Sequence, residues 1–180
     1  TGVQTCALPI YPIVNKRSDG YGLDIAGRNR FALEVAQACI EAIGVNKVGV
    51  RMSPQGVFNG TGDFADLESQ YVALTRKLSE MGLVYLHLVD HSAMGAPAVS
   101  AELKAKLREA FAGTFIAVGG FAADSAENAL QAKKADLIAF GRPFISNPDL
   151  VAKLKSGAKL VDPDMSTFYT PGEKGYTDYQ

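Results

Sequence analysis

The sequence is short of the features that assign a chemistry most quickly. Its 180 residues hold two cysteines, Cys6 and Cys39, too few for a disulfide framework. Cys39 sits among apolar neighbours of a helix-like stretch and reads as a small buried hydrophobe rather than a reactive thiol. A cytoplasmic, reducing setting is the expectation. No apolar run approaches the ~20 residues that cross a bilayer, and no basic-then-apolar leader opens the chain, so no membrane partner is expected. Basic and acidic residues nearly cancel, 18 against 19, for a net charge of −1. That balance lacks the clustered basic excess of a nucleic-acid binder. Metal-ligand clusters, a Walker A loop and a Gly-x-Gly-x-x-Gly after a strand are all missing. What is there is ordinary for a globular domain, 47% hydrophobic and 21% charged, at a length that buries a substantial core.

Residues 1–10 carry no period, no cap and no link to the pattern that follows. They are read as a non-native or unstructured segment, and residues 11–180 as the folded unit. From residue 28 onward helical and strand signals alternate. Phe31, Val35, Ala38, Cys39, Ala42 and Ile43 form a helical stripe that Gly44 stops. A β-branched run from Lys47 to Met52 follows, closed by Ser53-Pro54. Asp66 to Met81 repeats Leu67, Tyr71, Leu74, Leu78 and Met81 at helical spacing. Leu83 to Val89 is apolar almost throughout, the mark of a strand buried on both faces. Ser100 caps a helix through Leu103, Leu107 and Phe111, and Thr114 to Val118 is a strand ending at Gly119-Gly120. Asp124 is positioned to cap a helix with Glu127 in the capping box. Asp136 to Phe140 is a strand ending at Gly141-Arg142, and Asn147-Pro148 is placed to start a last helix. A tail runs from about Gly157. Four strands, each followed by a helix, predict a parallel sheet. The pattern fits a small doubly wound sheet or four units of a (β/α)8 barrel.

Ligands of parallel α/β folds bind where strands end. Two successive exits here carry glycine, at Gly119-Gly120-Phe121 and at Gly141-Arg142. Glycine bares backbone N–H groups to an anion, a helix start follows, and Arg142 adds a forked cation suited to phosphate. The plainer reading is a pair of tight turns. Arg51 interrupts an apolar strand near its end, where a charge is costly unless paired with a ligand or a neighbouring carboxylate. His87 lies within a strand and reads as a core histidine. His91 and Asp90 lie just beyond it, and their adjacency is a weak case for acid–base work.

Several motifs bear a resemblance. Asn15-Lys16-Arg17-Ser18-Asp19-Gly20-Tyr21-Gly22, followed by Arg28-x-Arg30-Phe31, is similar to the Asn-x-Arg-x-Asp-x-Tyr-Gly-Gly stretch of Old Yellow Enzyme relatives. Arg51-Met52-Ser53-Pro54 resembles that family's Arg-Leu-Ser-Pro at the end of strand five. Tyr85-Leu86-His87-Leu88 resembles its strand six, and Phe140 to Leu150 its strand eight with the following helix. Phe168-Tyr169 and Gly175 to Tyr179 resemble the tail of the N-ethylmaleimide-reductase branch. The motifs keep the family's order from about Pro12 onward.

The resemblance implies strands five to eight of a (β/α)8 barrel holding FMN non-covalently. It implies a reaction that passes hydride from NADPH or NADH to an activated alkene, such as an α,β-unsaturated carbonyl or nitro compound. It places Arg51 by the flavin pyrimidine edge. Gly119, Gly120, Phe121, Gly141 and Arg142 fall around the FMN phosphate, and Phe58 and Tyr169 on the substrate side. Leu23 stands where the family has its second glycine, in what relatives have as a surface turn. The family's proton-donating tyrosine and its substrate-anchoring pair lie upstream of Tyr11, so no catalytic residue is assigned. A fragment of this kind is expected to turn over little alone and to associate with itself through open sheet edges. The rival from another class is a non-catalytic phosphate- or nucleotide-binding α/β module with a flavodoxin-like sheet. An aldolase or sugar-phosphate isomerase barrel lacks its Schiff-base lysine at a strand end.

Overall fold

The computed structural model describes residues 8–58 and 60–179. Helix α1, Ile25–Ile43, starts three residues before residue 28, where the helical signal begins, because Asp24 caps it, accepting a hydrogen bond from the Gly27 N–H at 2.8 Å. Gly44, at φ +86°, turns the chain out of the helix. Strand β1 is Gly49–Met52, followed by α2, Leu67–Glu80, and β2, Tyr85–Val89. Helix α3, Ala101–Ala110, is capped by Ser100, whose hydroxyl accepts from the Leu103 N–H. Then come β3, Thr114–Val118, α4, Ala123–Gln131, and β4, Leu137–Ala139. The chain continues through the short α5, Arg142–Ser146, and α6, Leu150–Ser156.

The four strands pair in parallel in the order β1-β2-β3-β4. Every crossover therefore steps the same way across the sheet. A doubly wound sheet reverses direction and binds its ligand at the reversal; this order has none. Alternation along each strand sorts side chains onto two faces. Val50, Met52, Leu86, Leu88, Phe115, Ala117 and Ile138 face a core built with Ala36 of α1, Tyr71, Leu74 and Leu78 of α2, and Leu103 and Leu107 of α3. Helix α1 packs on α2, and α2 on α3, along that one side. The opposite face carries the register row Arg51, His87, Ile116 and Leu137. It has no covering layer among the described residues. The expectation that Leu83 to Val89 is buried on both faces is thus corrected: Leu86 is 0% exposed but its neighbour Tyr85 is 37% exposed. Its ring lies over Gly49, where an added Cβ would sit 2.4 Å from the ring carbons. This is a four-unit segment of a singly wound barrel, closed outside by helices and open inside.

Three local expectations change. Pro9 and Ile10 belong to the fold: Ile10 is buried and its carbonyl accepts from Gln70 Nε2 at 2.7 Å, so order begins before Tyr11. The reading of residues 1–7 as non-native lies outside the described residues. Helix α4 begins right after the β3 exit, which puts Asp124 inside its first turn. The Ser125 hydroxyl, not Asp124, takes the Ala122 N–H, at 2.9 Å. Asn147 does not start α6 but is wholly buried and ties the tail down. Its amide nitrogen donates to the carbonyls of Pro143 and Val161, and its oxygen accepts from the Val161 N–H at 2.9 Å. Such a buried amide has every reason to hold fixed partners.

Candidate functional site: the strand exits

The register brings the candidate residues to one rim. Val118 pairs with Ala139, so 119–121 and 140–142 leave the sheet side by side. Val89 pairs with Val118, which sets the segment from Asp90 beside them. Gly119 has φ +137°, and an added Cβ would lie 2.2 Å from the Asp90 carbonyl oxygen. Gly120 has φ +64°, with its missing Cβ facing Ala93. Only glycine fits both conditions at Gly119. The backbone N–H groups of Gly119, Gly120, Phe121, Gly141 and Arg142 donate to no acceptor among the described residues. Around Gly141 there is open space where a side chain would be. Arg142 gives one guanidinium nitrogen to the Ala93 carbonyl at 3.1 Å. It enters no ion pair among the described residues. Bare amides on two adjacent turns, beside an arginine, are donors of the kind that oxyanions accept.

Arg51 stands on the open face of β1, exposed, opposite His87 of β2. The alternative of an ion pair with a neighbouring carboxylate is not realised among the described residues. His87 is half-buried, and its Nε2 is a buried atom without a hydrogen-bond partner. Burial, then the Arg51 charge, holds its imidazole below the usual histidine range. His91, just past β2, is lowered by burial and by the same guanidinium, while Asp90 opposes. Its ring meets Phe58 edge-on, centroids 5.5 Å apart. Arg51, His87, His91 and Phe58 therefore share a neighbourhood. Tyr169 does not visibly join them: it is 95% exposed at φ +61°, and its described aromatic contact is Phe168. Asp90 and His91 turn to different partners, Asp90 to Lys104 at 2.5 Å and to the Ser92 N–H at 2.9 Å. Sequence reasoning missed that brace. The readable signal was Asp90 two residues before Ser92, the spacing of an Asx turn.

Among the described residues no group of histidine, cysteine and carboxylate is placed to hold a metal ion, and no helix is long and apolar enough to cross a membrane. The fold is a partial (β/α)8 barrel, and the rim of free amides lies after its last two strands, the place where such barrels hold phosphate. The sequence profile of the NADH:flavin oxidoreductase / NADH oxidase family matches residues 10–160, and the chain belongs to that family. Its members are FMN-dependent oxidoreductases of the Old Yellow Enzyme type, with a nicotinamide nucleotide as reductant.

The chain is 41% identical over 174 residues to chanoclavine-I aldehyde reductase of Penicillium roqueforti, covering 93% of itself and 47% of that protein. It is 37% identical over 169 residues to 12-oxophytodienoate reductase 2 of Arabidopsis thaliana, covering 92% and 45%. Among solved structures, morphinone reductase superposes with a TM-score of 0.89 at 38% identity, over 96% of this chain and 46% of that one. The Old Yellow Enzyme homologue of Zymomonas mobilis gives 0.90 at 31%, over 97% and 49%. The chain spans about half the length of the curated relatives it matches.

Proposed function

We propose that this chain supplies the phosphate-holding half of an FMN-dependent NAD(P)H oxidoreductase that reduces activated alkenes. The observation that carries the reading is the rim of unsatisfied amides at Gly119, Gly120, Phe121, Gly141 and Arg142. Those five groups and the free arm of Arg142 fit a phosphate monoester in number and in charge. Bound FMN would supply hydride transfer from the nicotinamide to the alkene. Arg51 would hold a fixed positive charge toward the ring that gains negative charge in that chemistry. The neutral imidazole of His87, beside it, adds no competing proton at neutral pH. Phe58, which stands with His91, would line the substrate side, and Tyr169, exposed in the isolated chain, would join it only once flavin and substrate are bound. The proton donor is assigned to no residue of this chain. With β1 and β4 each unpaired along one edge and the inner face bare among the described residues, the isolated chain is expected to self-associate and to bind flavin weakly.

Fluorescence titration with FMN and with riboflavin tests the reading. FMN is expected to bind with a Kd above ~1 μM, more tightly than riboflavin, and to be displaced by inorganic phosphate, with no NADPH oxidation. Arg142→Ala should remove the preference for FMN. Equal binding of the two flavins would sink the phosphate reading. Tight binding with NADPH turnover would overturn the incompleteness.

A further inference from the structure

One carboxylate sits on the wrong side of the charge balance. Asp90 leaves β2 directly beside the amide rim and is 8% exposed. Its backbone grips β3: the Asp90 N–H donates to the Val118 carbonyl at 2.9 Å, and its own carbonyl fills the space that makes residue 119 a glycine. Its side chain accepts from the Ser92 N–H at 2.9 Å, where the turn Ser92–Met94 begins. That turn presents the Ala93 carbonyl to Arg142 and the Ala93 methyl to Gly120. Both halves of the rim therefore lean on the loop that Asp90 braces. A negative charge so close to an oxyanion receptor opposes the ligand. Lys104, one turn into α3, reaches back across the loop and donates to Asp90 Oδ2 at 2.5 Å.

We propose that Asp90 and Lys104 form a positioning pair for the phosphate site, in which Asp90 sets the loop and Lys104 cancels the charge this costs. The pair rests on the flavin-phosphate reading above and adds a specificity element to it. Burial pushes the Asp90 carboxyl up, yet the hydrogen bonds from Lys104 and Ser92 bring it below the usual range, so it stays ionised at neutral pH. In the parent chain that charge is therefore present, and Lys104 is there to meet it.

The test is a double-mutant cycle read by FMN and riboflavin titration at low salt, where charge effects are least screened. Lys104→Met is expected to weaken FMN about fivefold and leave riboflavin unchanged. Asp90→Asn added to Lys104→Met should restore FMN to within about twofold of the parent, since the uncompensated charge is gone. Lys104→Arg, which keeps the charge, should keep the flavin preference. A pair that served only to hold the loop would give the opposite order, with the double variant the weakest binder. That order, or an unchanged preference in Lys104→Met, overturns the proposal. Arg142→Ala separates the two readings: if it abolishes the FMN preference while the Lys104 series does nothing, the phosphate site stands and this pair is not part of its specificity.

Discussion

The two faces of the sheet are built from similar strands and live in different surroundings. Toward the helices, Leu86, Phe115 and Leu88 are 0–2% exposed. On the other side Tyr85 is 37% and Leu137 53% exposed, and Arg51 and His87 lie in the same row. A parallel sheet ordinarily has both faces covered. The bare face sets Arg51 and His87 in one row with Ile116 and Leu137, whereas the covered rows are apolar. The difference teaches that this chain's core is built on one face, while the residues proposed to meet the flavin ring stand on the other.

The largest expected effect follows directly. Phe115→Ala removes a fully buried ring from the covered face and should cost about 3–5 kcal/mol in urea denaturation. Leu137→Ala on the bare face should change the midpoint by less than about 0.5 kcal/mol. Comparable losses for the two would break the contrast and show that the inner face is packed against something in solution. Repeating Leu137→Ala over a range of protein concentrations distinguishes another copy of the chain, since only then does its cost grow with concentration.

Much of this was legible before any coordinates. Helix stripes such as Leu67, Tyr71, Leu74 and Leu78 repeat at 3.6 residues, and glycines such as Gly44 punctuate them, so element type and order follow from local chemistry. The rim glycines were readable because a strand exit that must approach other backbone has few alternatives to glycine. Three things were not. An apolar strand looks the same whether both faces are covered or one awaits a partner, so the exposure of Tyr85 and Leu137 was hidden. Capping by Ser125 instead of Asp124 depends on how soon after Phe121 the helix begins, a boundary set by the turn at Gly120. The Asp90–Lys104 contact spans a loop and a helix, and 14 residues of separation carry no periodic signal.

A smaller effect should mark the bare face through pH. His87 and His91 both titrate lower in the folded chain than in the unfolded one, from burial first and the Arg51 charge second. For a lowered histidine the unfolded state takes up its proton first as pH falls. The stabilisation is therefore complete above the unfolded value, near ~6.5, and drains away as pH drops below it toward the folded value. Urea midpoints measured from about pH 7.5 downward should decline below about pH 6.5. The His87→Gln, His91→Asn double variant should decline less over that interval, and Arg51→Met should soften the slope by removing the second cause. An undiminished slope in the double variant would assign the effect to carboxylates elsewhere.

The smallest expected effect concerns the covered side, where α1 begins. Leu23 sits at φ +60° and is 72% exposed. A leucine gains no burial there and is held in the left-handed region that costs a side-chain-bearing residue about 1–2 kcal/mol. Its neighbours leave it little freedom. An added Cβ on Gly22 would meet the Arg17 carbonyl at 2.0 Å. Asp24 must keep its extended backbone to cap α1, and the Leu23 carbonyl faces the Arg28 guanidinium at 3.5 Å. Leu23→Gly relieves the strain but frees the unfolded chain, an opposing term of about 0.5–1 kcal/mol. The net expectation is a gain of about 0.5 kcal/mol, and Leu23→Asn, whose short side chain tolerates the same region, should gain a similar amount without the entropy penalty. A loss in both variants would mean that the turn relaxes in solution, in which case the start of α1 contributes less to the covered face than its cap implies.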